Sequence, residues 1–219
     1  MIKFININKR DEKDKSIILK DINLSIKEGE FVYIVGESGA GKTSLLKMLY
    51  KEIKPDTGQI LVNDINIIEI SKRETCYYRR KLGIVFQKLE LLEKRSVYKN
   101  IAYPLEIIGT NKKEINERIT DVLKFMKLLD KKDFIIEKLS EGEKHRVAIA
   151  RAIINNPDIL ICDEIIGNLN KEMIENVMIL LTKLNIEGTT IIFSTHNKEF
   201  VQRFPKRVIE LNRGVKKYV

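Results

Sequence analysis

Residues 31–44 read FVYIVGESGAGKTS, and this stretch decides the fold. Its first five residues form a continuous apolar run, which is typical of a strand buried on both faces. Three glycines then permit a tight turn, and residues 42–52 return to the spacing of a helix. A buried strand that passes through a glycine-rich turn into a helix predicts an α/β protein with a largely parallel sheet.

The turn matches the pattern G-x-x-x-x-G-K-[S/T] without a mismatch. A loop of this kind directs its backbone N–H groups onto phosphates, and the positive end of the next helix faces the same anion. Lys42 is predicted to reach the β- and γ-phosphates, and the Thr43 hydroxyl to bind Mg²⁺. The predicted nucleotide-binding residues are Gly36, Glu37, Ser38, Gly39, Ala40, Gly41, Lys42, Thr43 and Ser44.

A second apolar strand, residues 159–162, ends in two carboxylates. Asp163 fits the aspartate that holds magnesium in phosphate-loop enzymes. Glu164 is placed to face the γ-phosphate and to polarise the attacking water as a general base. Acidic residues also occur at solvated strand ends, but the phosphate loop upstream favours the magnesium and general-base roles.

The remaining pattern alternates strands with helices. From residue 96 to 138 it is mostly helical, and one stripe recurs at spacings of three and four: Ile115, Ile119, Val122, Leu123 and Met126. No element is assigned between residues 63 and 95. Outside these regions, strands are predicted at residues 2–7, 22–26, 59–62, 189–193, 208–211 and 215–218, and helices at 141–155, 171–185 and 198–203.

Composition sets wider limits. The 219 residues are 43% hydrophobic and 32% charged, a balance that suits one folded domain. The formal charge of +9 is compatible with an anionic partner or with a lysine-rich solvated surface, and both remain open. Two cysteines, Cys76 and Cys162, cannot build a disulfide framework. No signal peptide or membrane-spanning run is recognised, so we expect a cytoplasmic chain with any membrane role supplied by a partner.

Further motifs resemble those of ATP-binding-cassette ATPases. Residues 139–143, LSEGE, are similar to the signature motif and precede RVAIARA at 146–152. Phe86-Gln87 resembles the glutamine loop, residues 167–170 the D-loop and residues 194–196 the histidine switch. The resemblance covers essentially the whole chain. It implies a phosphate-loop NTPase fold with a mixed core sheet and an N-terminal antiparallel β subdomain. The core would span about residues 1–87 and 156–219 of one domain, with a helical subdomain inserted at about 88–155.

The resemblance also implies a mechanism. Two cassettes would bind two ATP molecules head to tail, with Ser140 and Gly142 contacting the ATP of the partner copy in trans. Gln87 would touch Mg²⁺ or the lytic water, so the implied metal ligands are Thr43, Gln87 and Asp163. His196 would contact the γ-phosphate and hold Glu164, which makes Gln87, Glu164 and His196 the catalytic candidates. A core or surface histidine is the alternative for His196.

Within the family, residues 79–87, 95–102 and 206–211 most resemble the ATPases of bacterial cell division. Lipoprotein-release and macrolide or peptide exporter ATPases share much of the middle. The resemblance implies a peripheral subunit at the cytoplasmic face of the membrane, whose integral partner regulates peptidoglycan hydrolases. That partner would dock along residues 88–106, where Leu89, Leu91, Leu92 and Tyr98 either contact it or pack internally. A nucleic-acid partner is not expected, since the chain has neither a second cassette nor a long coiled coil.

Several residues depart from the family pattern. Glu141 replaces a glycine, Asn170 replaces the D-loop aspartate, and Ile165-Ile166 replace proline and threonine. Asp11 stands where an aromatic side chain stacks on adenine, and His145 replaces a glutamine at a position expected to face solvent. These departures predict weak base selectivity and slow hydrolysis by the isolated chain. They also leave open a nucleotide-gated scaffold with little hydrolysis.

Overall fold

The computed structural model describes residues 1–167, 169–212 and 214–217. Ten strands and seven α-helices alternate along these residues, with two short 3₁₀ turns at Leu129–Lys131 and Ile136–Lys138. The strands are β1 (Ile2–Arg10), β2 (Ile17–Ile26), β3 (Phe31–Val35), β4 (Thr57–Val62), β5 (Ile65–Asn66), β6 (Leu82–Val85), β7 (Ile159–Asp163), β8 (Thr190–Thr195), β9 (Arg207–Asn212) and β10 (Val215–Lys217). The helices are α1 (Lys42–Leu49), α2 (Lys72–Arg80), α3 (Val97–Ile107), α4 (Lys112–Phe125), α5 (Glu141–Ile153), α6 (Lys171–Ile186) and α7 (Lys198–Arg203).

The strands form two sheets, which confirms the predicted α/β class. A four-stranded sheet has the order β2-β1-β4-β5, and its strand pairs are antiparallel. A six-stranded sheet has the order β10-β9-β3-β8-β7-β6. Its strands from β9 to β6 pair in parallel, and only the short β10 pairs antiparallel at the edge. Strand β3, which leads into the phosphate loop, therefore lies inside the parallel sheet.

The six-stranded sheet separates two hydrophobic cores, which explains the continuous apolar run of β3. Phe31, Tyr33 and Val35 point into the core that contains α3, α4, α5 and α6. Val32 and Ile34 point into the other core, which contains α1 and the antiparallel sheet. Since successive side chains of a strand face opposite sides, a strand buried on both faces has no polar position.

The middle of the chain is helical as predicted, with α3, α4 and α5 between β6 and β7. The predicted stripe of α4 packs against the core: Ile115, Ile119, Leu123 and Met126 are buried and Val122 is partly buried. Each of these three helices begins at a side chain that accepts a hydrogen bond from the first turn, namely Ser96, Asn111 and Ser140. In the described residues, no helix is long and apolar enough to cross a membrane.

The structure corrects one prediction and adds three elements. His145 does not face solvent: it is buried, and its ring Nδ1 donates to the carbonyl of Glu141 at 2.8 Å. Helix α5 is covered on most sides, so its position 145 has no solvated face to occupy. Strand β5, helix α2 and strand β6 lie between residues 63 and 95, where the sequence analysis assigned no element. The predicted final hairpin is present as β9 and β10, but Arg213 in its turn and Tyr218 in its last strand lie outside the described residues.

Candidate nucleotide-binding site

The predicted site residues other than Ser140 and Gly142 meet at one edge of the six-stranded sheet. The phosphate loop follows β3, Gln87 follows β6 by two residues, Asp163 ends β7 and His196 follows β8. Because the strands β3, β8, β7 and β6 are adjacent and parallel, their carboxyl ends open on the same side. An open cavity of about 290 Å³ lies there, lined by residues 38–44 together with Ile18, Gln87 and Glu164.

Glycine is required at two positions of the loop for different structural reasons. Gly41 has a φ of 92° at the start of α1, a left-handed conformation that suits glycine. A Cβ on Gly36 would lie 2.4 Å from the carbonyl oxygen of Leu211, so the loop approaches the backbone of β9 too closely for any side chain. The phosphate loop is therefore shaped by its own backbone and fixed against the last parallel strand.

The ammonium group of Lys42 is buried and fully hydrogen-bonded. Its Nζ donates to the carbonyl oxygens of Gly36 at 2.8 Å and Glu37 at 3.0 Å. It also lies 2.9 Å from Oε1 of Glu164, and the Lys42 side chain is only 4% exposed. An ammonium has three donors, so each has a partner here. A phosphate that binds Lys42 must compete with one of these three oxygens.

Two hydroxyl groups converge on Asp163. The Thr43 hydroxyl lies 3.4 Å from Oδ1 of Asp163, and the Ser194 hydroxyl donates to the same oxygen. A buried carboxylate beside a threonine hydroxyl offers the oxygen ligands that Mg²⁺ takes together with substrate phosphates. Within the described residues, no group of three or more His, Cys, Asp or Glu side chains is placed to hold a metal. The donor set thus fits a magnesium ion that is shared with a phosphate ligand. A magnesium ion bound there would neutralise part of the negative charge of the phosphates.

Glu164 lies between Lys42 and His196. Its Oε1 contacts Lys42, and its Oε2 is 3.0 Å from Nδ1 of His196. Burial raises the pKa of Glu164, but the hydrogen bonds and charges of Lys42 and His196 outweigh it and the net pKa is lowered. Its backbone has a φ of 49°, which is uncommon for a residue with a side chain. The Glu164 N–H donates to the carbonyl and the hydroxyl of Ser194, which hold this strained conformation.

Ser194 is the one member of this group that the sequence did not single out as a site residue. Its hydroxyl donates to Asp163 and accepts from the Glu164 N–H at 3.1 Å, so it links both strand-end carboxylates. The available signal was its position at the end of a buried strand, two residues before His196. Gln87, also at this edge, is exposed and lines the cavity.

The structure places Ser140 and Gly142 away from this cavity, at the start of α5. Ser140 is exposed and caps the helix, with Glu143 completing a reciprocal capping box. Gly142 is buried, and a Cβ there would lie 2.7 Å from the sulfur of Met173 on α6. The small size of Gly142 thus has a packing reason within this chain, and of the first N–H groups of α5 that of Glu143 donates to the Ser140 hydroxyl.

The residues that depart from the family pattern contact residues close to them in sequence. The Glu141 side chain is 60% exposed and forms an ion pair with Lys144 at 2.9 Å. The Asn170 side chain accepts from the N–H of Met173 and caps α6. Asp11 accepts from the N–H of Lys13 at the tip of the β1–β2 hairpin. Of the D-loop residues 167–170, Asn168 lies outside the described residues.

Comparison with known proteins agrees with this geometry. Residues 19–167 match the family model described as ABC transporter. The chain belongs to this family: it is an ABC ATPase, the subunit class that binds ATP with Mg²⁺ and hydrolyses it. The predicted phosphate-loop NTPase fold is thereby confirmed.

Among curated relatives, the chain is 45% identical to the cell division ATP-binding protein FtsE of Bacillus subtilis over 90% of this chain and 86% of that protein. It is 36% identical to FtsE of Mycobacterium tuberculosis over 98% of this chain and 93% of that one. It is also 39% identical to the methionine import ATP-binding protein MetN 2 of Bacillus cereus, covering 64% of that protein.

Solved structures give the same result. A dimeric structure of MJ0796, a bacterial ABC transporter cassette, matches with a TM-score of 0.90 and 36% identity, covering 100% of this chain and 97% of that chain. A post-hydrolysis state of MJ0796 bound to ADP and Pi matches with a TM-score of 0.90 and 34% identity over the same shares of the two chains. The prediction that the chain most resembles a cell-division ATPase agrees with the relatives named FtsE.

Proposed function

We propose that this chain is the ATPase subunit of a membrane complex that acts in bacterial cell division, with an integral membrane partner resembling FtsX. Through that partner, ATP turnover in the cytoplasm regulates peptidoglycan hydrolysis outside the membrane. The assignment is supported by the relatives named FtsE, of which the chain covers most of the length. The subunit then resides at the cytoplasmic face of the cell membrane.

The chemistry that we assign to the site rests on one observation: a single carboxylate, Glu164, touches both the buried Lys42 and His196. Glu164 is the general base that accepts a proton from the attacking water, and His196 orients it. Lys42 and the loop N–H groups bind the phosphates, while Thr43, Asp163 and Gln87 hold magnesium.

A second copy of the chain completes each site. Ser140 and Gly142 lie away from the phosphate loop of their own chain, at a helix start that carries free N–H groups. Such a helix end binds anions, so it takes the γ-phosphate held by the partner copy. MJ0796, which this chain resembles, has been solved as a dimer.

The membrane partner docks beside the glutamine loop. Of the four apolar residues considered from the sequence, Leu89, Leu91 and Tyr98 pack against the core, and only Leu92 is exposed, at 43%. Tyr103 and Ile107, on the outer side of α3, are 51% and 61% exposed. We assign the partner contact to Leu92, Tyr103 and Ile107, because an exposed apolar group of this kind suits a protein interface.

Co-purification tests the assignment. A tagged chain extracted from membranes should retain an integral protein with four spans and a modest external loop. Substituting Tyr103 and Ile107 with serine should release that protein while ATP hydrolysis by the isolated chain persists. Recovery of a partner with a large external domain would instead favour an exporter or lipoprotein-release complex, and recovery of none would contradict the membrane role.

A further inference from the structure

Arg151 forms hydrogen bonds to the backbone of the segment that follows Gln87. It lies in the last turn of α5, and its two terminal nitrogens donate to the carbonyl oxygens of Leu89 and Glu90, each at 2.7 Å. These carbonyls belong to residues two and three positions after Gln87. A planar guanidinium that binds two successive carbonyls fixes the position and the orientation of both peptide groups.

Helix α5 touches the same stretch of chain before Gln87 as well. A Cβ on Gly83 in β6 would lie 2.5 Å from the carbonyl oxygen of Ala152, the residue after Arg151. The backbones of β6 and α5 are therefore in direct contact there. Gln87 lies between these two attachments, since Gly83 precedes it by four residues and Leu89 follows it by two.

The segment is anchored at its far end by Asn100. This side chain is fully buried, accepts from the Leu92 N–H at 2.8 Å and donates to the Leu92 carbonyl at 3.1 Å. Between Gln87 and Leu92, the side-chain hydrogen bonds to the described backbone come from Arg151. Arg151 thus sets where this short stretch lies relative to α5.

The other end of α5 is the predicted signature motif. The helix starts after Ser140, and the ion pair between Lys131 and Glu143 fixes its first turn. At about 1.5 Å per residue, its 13 residues span about 20 Å. Val147, Ala148, Ile149 and Ala150 are buried along it, and close packing of this kind favours displacement of the helix as one unit over bending within it.

We propose that Arg151 is a positioning residue for Gln87: it makes the glutamine loop follow the signature helix. When Ser140 engages ATP on the partner copy, a displacement of α5 carries the Leu89 and Glu90 carbonyls with it and sets Gln87 in its own cassette. This inference depends on the trans role of Ser140 proposed above. It links the two sites of a pair through one side chain.

A fluorescence reporter tests the link. The chain contains no tryptophan, and Leu92 is 43% exposed, so Leu92→Trp introduces a single tryptophan beside the loop, which can be excited selectively over the tyrosines. In a Glu164→Gln background that retains ATP, addition of ATP with Mg²⁺ should shift the emission. Arg151→Met should abolish the shift, Arg151→Lys should keep part of it, and Arg118→Met, a matched loss of charge on α4, should keep all of it.

Turnover gives the second readout, in chains that retain Glu164 and Leu92. Arg151→Met should lower phosphate release about 10- to 100-fold, the effect of misplacing a reacting group by about 1 Å. Its affinity for ADP with Mg²⁺ should stay within about twofold of the parent, since Arg151 lies outside the phosphate cavity. Arg151→Lys should restore part of the rate, because its ammonium keeps the charge but, as a single nitrogen, replaces the two separate guanidinium nitrogens that bind the two carbonyls.

Several results would overturn the proposal. One is a full emission shift or a parental rate in Arg151→Met, or in Arg151→Lys if the methionine variant does not fold. Another is a parallel loss of melting temperature, ADP affinity and rate, which identifies a purely structural role. A reporter chain that binds ATP without any emission shift also contradicts it. By contrast, a parent chain that neither binds nor hydrolyses ATP would reject the proposed function itself.

Discussion

Substituting Glu164 with glutamine should separate nucleotide binding from hydrolysis. The Lys42 ammonium has three partners in the structure, and Glu164 at 2.9 Å is the only charged one among them. A hydrogen bond to a charged group contributes about 1.5–3 kcal/mol, against about 0.5–1.5 kcal/mol for a neutral one. Glutamine therefore weakens the competitor of the γ-phosphate by about 1–1.5 kcal/mol, which corresponds to a five- to tenfold gain in affinity.

Hydrolysis should change in the opposite direction. If Glu164 is the general base, its amide analogue cannot accept the proton of the attacking water, and phosphate release should fall about 10²- to 10⁴-fold. Affinity is measured with a non-hydrolysable ATP analogue and Mg²⁺, and turnover by phosphate release. Glu187→Gln, an exposed carboxylate at the end of α6, serves as the matched control.

Either half of this prediction can fail. Equal phosphate release by Glu164→Gln and the parent would remove Glu164 from catalysis and favour a nucleotide-gated scaffold. A weaker affinity for the analogue would show that the contact between Glu164 and Lys42 prepares the site for phosphate rather than competing with it.

Three further outcomes follow from the structure. Gly36→Ala would place a methyl group 2.4 Å from the Leu211 carbonyl, so the melting temperature should drop by the equivalent of about 1–3 kcal/mol; an unchanged value would contradict the close approach. Asn170→Asp keeps the cap of α6 and adds a charge at a helix start, so it should stabilise the chain by about 0.3–1 kcal/mol in a denaturant titration and raise the hydrolysis rate if the family aspartate matters there. The hydrogen bond from Lys131 lowers the pKa of Glu143 below its ordinary value of 4.5. The ionised carboxylate therefore stabilises the fold fully above pH 4.5, and this stabilisation is lost as the pH falls through the lowered pKa. Denaturant midpoints of Glu143→Gln should therefore fall less with acidification than those of the parent, and parallel curves would reject the pairing.

The local parts of the fold were readable from the sequence because each carries its own pattern. Strand β3 and the phosphate loop were predicted with their observed bounds, since apolar runs and glycine spacing are local properties. Helix α2 was missed because none of its residues is buried and so no apolar periodicity exists to be found. Ser71 and Glu74 at its start do form a capping box, which was the available signal.

Contacts between distant residues were not readable in the same way. His145, which replaces a glutamine of the family, was expected to face solvent, yet its side of α5 is covered. Likewise, the partners of Arg151 are backbone carbonyls 61 and 62 residues away. Every residue has a backbone carbonyl, so no sequence pattern indicates which ones accept a hydrogen bond. Sequence motifs thus identify the side chains that touch the nucleotide, while the groups that position them become visible only in the fold.

Glu141 shows why this distinction matters for activity. A carboxylate in the signature motif would repel the γ-phosphate of the partner copy unless it pointed outward. In the structure its charge is paired with Lys144, and both side chains line a groove with Lys88, Leu89 and Glu93 rather than the phosphate cavity. Since the field of an exposed, paired charge is largely screened, Glu141 on its own gives no physical reason for slow hydrolysis. Among the departures that predicted slow hydrolysis, Asn170 then remains, and the rate of Asn170→Asp measures its contribution.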